Sequence, residues 1–160
     1  MVKRKRFNIT GICIPGQHYM VDISGKIDEI VRDYIECDEY FTINRARQYG
    51  KSTTLALLYN RLKENYLVLD ISFEAAEDCF VSLYSLAQGV VRKISRALTC
   101  NHTPGELMDI WNEPIDAQLP LDSLNEKITR FCNASKKEVI LMVDEVDKAA
   151  DNQMFLSFLG

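Results

Sequence analysis

The stretch "INRARQYGKSTTLALL", residues 43 to 58, carries the strongest structural signal in this sequence. Gly50, Lys51 and Ser52 are followed by an apolar run that is typical of a helix and contains no helix breaker. The segment "EYFTIN" (39–44) overlaps the start of this stretch and is rich in residues that favour strands. The pattern therefore predicts a strand over 39–44, then a loop, then a helix that begins at Gly50.

A loop between a strand and a helix of this kind favours phosphate binding. Backbone N–H groups at the start of the helix, from about Tyr49 to Thr53, would converge on a polyphosphate. Gly50 lets the backbone approach the ligand because it has no Cβ. Lys51 would bring a positive charge to the outer phosphates, and Ser52 would offer its hydroxyl to Mg²⁺.

A second motif lies downstream, in "VILMVDE" (139–145). Five apolar residues predict a buried strand, and ligands of parallel sheets bind at the carboxyl ends of such strands. Asp144 would hold Mg²⁺, mostly through water, and Glu145 would act as the general base that polarises an attacking water. The alternative for these two acids is a solvated strand end. The order and strand context of both motifs together favour a nucleotide site, with ATP and Mg²⁺ as cofactors.

The remaining segments predict an alternation of helices and strands. Residues 1–17 are predicted as an extended arm with a Pro-Gly turn, and Ser24 as the cap of a helix over 25–37, with Ile27, Ile30, Val31 and Tyr34 on one face. A strand over 66–72, apolar on both faces, is followed by an amphipathic helix over 75–98. Residues 99–120 are predicted as irregular and 121–135 as another helix. Alternating strands and helices indicate an α/β fold with a parallel sheet.

Composition bounds the class of protein. The chain has 160 residues, of which 47% are hydrophobic, and a net charge of −4, so a single domain over 1–160 that does not coat nucleic acid is expected. The basic run "KRKR" (3–6) could contact phosphates or anionic lipid, or simply be solvated. No apolar stretch reaches the roughly 18 residues that span a bilayer, and no secretory signal is present. Five widely spaced cysteines without metal-ligand spacing predict reduced, buried thiols in a cytoplasmic protein.

The segments "HYMVDIS" (18–24), "EYFTINRARQYGKSTTL" (39–55) and "ILMVDEVD" (140–147) resemble the AAA-ATPase-like proteins of bacteria. These P-loop ATPases have a catalytic glutamate after the Mg²⁺-binding aspartate. The resemblance covers nearly the whole chain and is most specific in the first sixty residues. It implies a three-layer P-loop sandwich that binds Mg·ATP and hydrolyses ATP, with catalytic roles for Glu145 and Lys51.

The resemblance also bears on the loop before Gly50. The full phosphate-loop pattern has a glycine where this chain has Arg45, but the family commonly places arginines at the positions of Arg45 and Arg47. Both guanidinium groups are therefore expected to supplement the backbone in holding phosphate. Their alternative is two solvent-facing charges, or ion pairs with acids such as Asp38 and Glu39.

Further expectations follow from the family. The segment before the phosphate loop would lie near the base of the nucleotide, although a surface His18 and a core Tyr19 are the plainer interpretation. The family has a sensor strand after the strand that carries Asp144, and this chain ends at Gly160 without one. We therefore expect the amino-terminal part of an ATPase domain, with residues 1–38 as an arm and helix before the phosphate loop, an incomplete sheet and slow or absent hydrolysis.

Rival functions differ in the use of ATP. The chain could be a nucleotide-gated interaction module that binds ATP without turnover, whereas Glu145 favours hydrolysis. A nucleic-acid-binding function rests on "KRKR" alone, and a small-molecule kinase lacks a visible lid arginine cluster. Expected partners are ATP and either a second copy or an attached effector domain in a longer parent protein. Neither nucleic acid nor a membrane is an expected partner.

Overall fold

The computed structural model describes residues 4–9, 11–44, 49–101 and 103–145, and these form a mixed helix and strand structure with a two-stranded parallel sheet. The chain divides into two compact units, Met1–Glu64 and Asn65–Gly160. The helices are α1 (Ser24–Ile30), α2 (Lys51–Leu62), α3 (Leu83–Cys100), α4 (Gly105–Asn112) and α5 (Pro120–Ala134), and the strands are β1 (Leu67–Ser72) and β2 (Val139–Asp144).

Helix α1 begins where the sequence predicts a helix, but Ser24 is not its cap. The backbone N–H of Ser24 donates to Oδ1 of Asp22 at 2.9 Å, so the carboxylate two residues earlier satisfies the start of the helix. Ile27 and Ile30 are buried, as the helical spacing predicts. The helix then widens into a π-helical turn over Val31–Ile35.

Helix α2 confirms the helix predicted after the Gly-Lys-Ser triplet. Gly50 is its N-cap, and the buried face consists of Thr54, Leu58 and Leu62. Near its carboxyl end, Arg61 Nε donates to Oδ1 of Asp28 at 3.2 Å, which joins α2 to α1 within the first unit.

The strand predicted over 39–44 is wrong, because these residues have irregular backbone. A strand needs a neighbouring strand that satisfies its N–H and C=O groups, and within 4–9, 11–44, 49–101 and 103–145 no segment pairs with it. Phe41 instead packs against the ring of Tyr34, with the ring centroids 5.1 Å apart. Strand propensity alone does not decide the conformation here.

The amino-terminal arm folds back on itself rather than extending over its whole length. Arg6 forms a parallel bridge with His18, donating its N–H to the carbonyl of Gln17 and accepting the N–H of Tyr19. The carbonyl of Ile14 accepts the N–H groups of Gln17 and His18, at the Pro-Gly turn that the sequence predicts. The arm is therefore a closed loop between Arg6 and Tyr19.

The second unit contains the sheet, and both of its predicted strands are confirmed. β1 and β2 run parallel, in a register that pairs Leu67 with Val139 at one end and Ser72 with Asp144 at the other. Because β1 precedes three helices and β2 follows them, the connection is the helical crossover that parallel strands require. Asp144 consequently lies at the carboxyl edge of the sheet.

Two helix boundaries differ from the predictions. The helix predicted from residue 75 begins at Leu83, because the Ser82 hydroxyl caps it by accepting the Ser85 N–H at 3.1 Å, after a 3-10 turn at Glu77–Phe80. Leu83 is exposed, and the buried face of α3 begins at Leu86. The stretch over 99–120 is not wholly irregular, since α4 begins directly after Pro104, which is compatible with a helix start but not with a helix interior.

One face of the sheet packs on α3, α4 and α5 and forms the main hydrophobic core. At its centre the rings of Trp111 and Phe131 meet edge to face, with centroids 5.4 Å apart. The core includes Leu69, Ile71, Leu86, Val90, Ile94, Leu98, Trp111, Leu124 and Phe131. Since side chains alternate along a strand, Asp70, Ser72 and Asp144 lie on the other face.

Candidate functional site

The start of helix α2 is defined by a left-handed glycine and by two hydrogen bonds to its carbonyl. Gly50 lies in the left-handed region, at φ 76° and ψ 24°, where a side chain is disfavoured. Its carbonyl accepts the N–H of Thr54 at 2.8 Å and the Thr54 hydroxyl at 3.0 Å, which fixes the first turn. The first N–H groups of a helix have no carbonyl one turn earlier, so such a turn can bind an anion.

The side chains of this turn differ in exposure. Tyr49 and Ser52 are exposed, while Lys51 and Thr53 are half-buried. No atom of the described residues lies within 4 Å of the point that a Cβ at position 50 would occupy. The structure thus brings Tyr49, Gly50, Lys51, Ser52 and Thr53 together at one helix end.

The arm attaches to this turn, a contact that the sequence gives no signal for. The backbone N–H of Cys13 donates to Oγ1 of Thr53 at 3.2 Å. A hydroxyl that accepts one hydrogen bond can still donate its own proton, so Thr53 remains able to bind a phosphate oxygen. The contact therefore places the arm beside a predicted ligand-binding residue.

The burial of His18 and Tyr19 is the reverse of what the sequence predicts. His18 is buried, with 5% of its surface exposed, and its Nδ1 accepts the N–H of Ile14 at 2.9 Å. Tyr19 is 52% exposed and packs against the ring of Phe7. The imidazole is therefore used to close the arm, and the expectation of a surface His18 and a core Tyr19 was wrong.

The second group of predicted residues lies at the end of β2, in the second unit. Oδ1 of Asp144 accepts the N–H of Glu145 at 2.9 Å, and the Asp144 carbonyl accepts the N–H of Phe73 at 3.1 Å. Glu145 has φ 58°, which is unfavourable for a residue with a Cβ. The carboxylate of Asp144 therefore holds the backbone of Glu145 at the strand end.

A further carboxylate, Asp70, stands near Asp144. It lies on the same face of the sheet, two residue pairs before the Ser72–Asp144 pair. Loss of hydration raises the pKa of Asp70, and the negative charge of Asp144 raises it further. Strand alternation in "LVLDIS" places Asp70 on that face, so this neighbour was within reach of sequence reasoning.

The oxygen donors of Ser52 and Asp144 are of the type that Mg²⁺ prefers. Mg²⁺ is commonly held by one or two protein ligands, with water and phosphate oxygens completing its shell. Groups of three or more His, Cys, Asp or Glu side chains arranged around one point do not occur among the residues that the structure describes. Ser52 belongs to the first compact unit and Asp144 to the second.

Several predicted residues lie outside the described ranges. Arg45 and Arg47 precede the turn at Gly50, and Asp147 follows Glu145, all within segments that the structure does not describe. Their roles stay predictions from the sequence.

Comparisons with known proteins do not assign the chain to a family. No protein-family model, no curated protein and no solved structure matches it. The resemblance drawn from the motifs therefore stays a prediction. In the described part of the chain, none of the helices combines the length and apolar character needed to cross a membrane.

Proposed function

We propose that this protein binds Mg·ATP and hydrolyses it slowly, through a phosphate site at the start of α2 and an acidic site at the end of β2, in a P-loop sandwich. The observation that carries the proposal is Gly50. It caps α2 in a left-handed conformation, directly before Lys51 and Ser52. This is the backbone that lets successive N–H groups surround a phosphate.

The residues of the first unit would bind the phosphates. N–H groups at the start of α2 would donate to phosphate oxygens, and the Lys51 ammonium would offset the negative charge of the outer phosphates. The Ser52 hydroxyl would bind the Mg²⁺ that accompanies ATP. Arg45 and Arg47, as cofactor-binding residues, would add positive charge that supplements the backbone in holding phosphate.

The residues of the second unit would supply the chemistry. The Asp144 carboxylate would bind Mg²⁺ through water, and Glu145 would accept a proton from the attacking water. The strained backbone of Glu145 supports this role, because residues held in unfavourable backbone regions are concentrated at functional sites. The parallel pairing of β1 with β2 also supports it, since ligands of parallel sheets bind at the carboxyl edge, where Asp144 lies.

Nucleotide binding by substituted chains tests the phosphate site. We expect Lys51→Ala to weaken Mg·ATP affinity by about tenfold or more, because a charge-assisted contact contributes about 1.5–3 kcal/mol. Lys63→Ala is the matched control, since Lys63 follows α2 at its other end and its ammonium binds Asn60. A wild-type chain that binds no Mg·ATP at about 1 mM, the upper range of enzyme substrate constants, would refute the proposal.

A second function is favoured by the contact between Cys13 and Thr53. Through it, a nucleotide at the start of α2 could change the arm without being hydrolysed, which is the behaviour of a nucleotide-gated interaction module. Glu145→Gln separates the two functions. If the protein is an ATPase, this variant keeps affinity and loses turnover. If it is a gated module, wild type and variant bind equally and neither turns over.

A further inference from the structure

Charge is divided unevenly within the first unit. Residues 3–21, the basic arm, contain Lys3, Arg4, Lys5 and Arg6 and no acidic residue, a net charge of +4. Residues 22–40, the acidic segment, contain seven acidic and two basic residues, a net charge of −5. The net charge of the whole chain is only −4, so these two neighbouring segments concentrate charge of opposite sign.

The basic arm presents apolar side chains to solvent together with its cations. Ile9 is 92% exposed, Val21 79% and Phe7 78%, although burial is the usual fate of such side chains. Arg4, Lys5 and Arg6 are exposed, and no carboxylate of the described residues forms an ion pair with them. An exposed surface that is both apolar and charged is typical of a protein interface.

The acidic segment offers the complementary surface. Asp28 and Asp33 are occupied by Arg61 and Arg32, respectively. Four other acids of the segment are exposed and have no ion-pair partner among the described residues, namely Glu29, Glu36, Asp38 and Glu39.

Apolar groups accompany these acids. Tyr40 is fully exposed. A pocket of about 270 Å³ opens beside Glu29, and its lining includes Lys26, Ile30, Tyr34 and Phe41. An aliphatic side chain such as that of Ile9 could fill part of it.

We propose that two copies of this chain associate through these two surfaces, with the basic arm of each copy on the acidic segment of the other. Two-fold symmetry lets one interface make both contacts at once, and such dimers are the commonest oligomers. A nucleic acid or an anionic membrane would attract the arm but repel the acidic segment next to it. A second copy satisfies both surfaces, and the proposal is independent of nucleotide binding.

Sedimentation velocity with charge-reversed chains tests this interface. The arm variant is Arg4→Glu with Lys5→Glu, and the acidic-segment variant is Glu36→Lys with Glu39→Lys. We expect each variant to raise the dissociation constant of the dimer about tenfold or more, because each replaces attraction by repulsion. An equimolar mixture of the two variants should dimerise again, since each reversed surface then faces its complement.

The control variant changes the net charge by the same amount as the arm variant, but outside both surfaces. Arg96→Glu with Lys136→Glu reverses two exposed cations outside both surfaces and should leave dimerisation unchanged. The wild-type dimer should also weaken at about 0.5 M salt, where the screening length falls to a few ångströms.

Three results would overturn the proposal. These are a wild-type chain that stays monomeric at low salt, a mixture of variants that does not recover the dimer, and a control that loses it. A monomer whose arm instead binds anionic vesicles or an oligonucleotide would reassign the basic arm to that partner. Circular dichroism of each variant establishes that a monomeric result comes from a folded chain.

Discussion

The hydroxyl of Thr53 accepts the backbone N–H of Cys13 at 3.2 Å, across 40 residues of sequence. Thr53 belongs to the first turn of α2, and Cys13 to the loop between Arg6 and Tyr19. The contact links the part of the chain that carries the basic residues to the turn proposed to bind phosphate.

Thr53→Val should release the arm from α2. Valine keeps the shape of threonine but cannot accept the Cys13 N–H, and a lost hydrogen bond of this kind costs about 1 kcal/mol. Amide hydrogen exchange at Cys13 should therefore become several-fold faster. Thr53→Ser retains the hydroxyl and should exchange like the wild type, whereas equal rates in all three chains would contradict the structure.

Gly50→Ala should destabilise the start of α2 through backbone conformation alone. A Cβ at position 50 meets no atom of the described residues within 4 Å, so no clash with them contributes, while φ 76° costs a residue with a Cβ about 1–2 kcal/mol. Urea unfolding measures this cost, and nucleotide affinity should fall with it. Gly50→Asn is the comparison, because asparagine tolerates the left-handed region better; a loss with Asn as large as with Ala would argue against this explanation.

Lys51 and Asp144 should be coupled if both contact one Mg·ATP. Lys51→Ala and Asp144→Asn would then be non-additive in nucleotide affinity, by about 0.5–3 kcal/mol in a double-mutant cycle. Removing Mg²⁺ with a chelator should abolish the effect of Asp144→Asn while leaving part of the Lys51→Ala effect. Strict additivity would mean that the two residues do not share a ligand.

Gly89→Ala should destabilise the second unit. A Cβ at Gly89 would lie 2.5 Å from Sγ of Cys79, where α3 packs against the 3-10 turn. Overpacking of this kind costs about 1–3 kcal/mol. Gly25→Ala in α1 has open space and should be neutral or stabilising, and Cys79→Ala should relieve the defect in the double variant. Thermal unfolding measures all four chains.

Asp70→Asn should make stability less sensitive to pH. Loss of hydration and the charge of Asp144 raise the pKa of Asp70 in the folded protein, so the folded state binds this proton more tightly than the unfolded state. The wild type therefore loses stability as pH rises from the ordinary aspartate pKa through the raised one. Asp70→Asn should be more stable than wild type at neutral pH, and this advantage should vanish in acid. An advantage that persists unchanged in acid would exclude the proton linkage.

Asp144→Asn should remove part of the same effect. It removes the neighbouring charge but leaves the loss of hydration, which is the larger cause of the shift. The pH dependence of unfolding in this variant should therefore lie between those of wild type and Asp70→Asn.

Elements with a local sequence pattern could be predicted without the structure. The helix after Gly50 follows from an apolar run without a helix breaker and the glycine before it. The strand that ends at Asp144 follows from five consecutive apolar residues. Periodicity and capping act over a few residues, so sequence reasoning finds them. The residues at the start of this helix and at the end of this strand were predicted for the same reason, because they are neighbours in sequence.

Tertiary structure decided the features that depend on partners distant in sequence. Residues 39–44 have strand propensity but no strand beside them among the described residues, so the propensity is not realised. His18 is buried because its ring accepts the N–H of Ile14 inside a loop, and the Cys13–Thr53 contact spans 40 residues. Hydrogen-bond partners and burial are set by the whole fold, and a local pattern does not contain them.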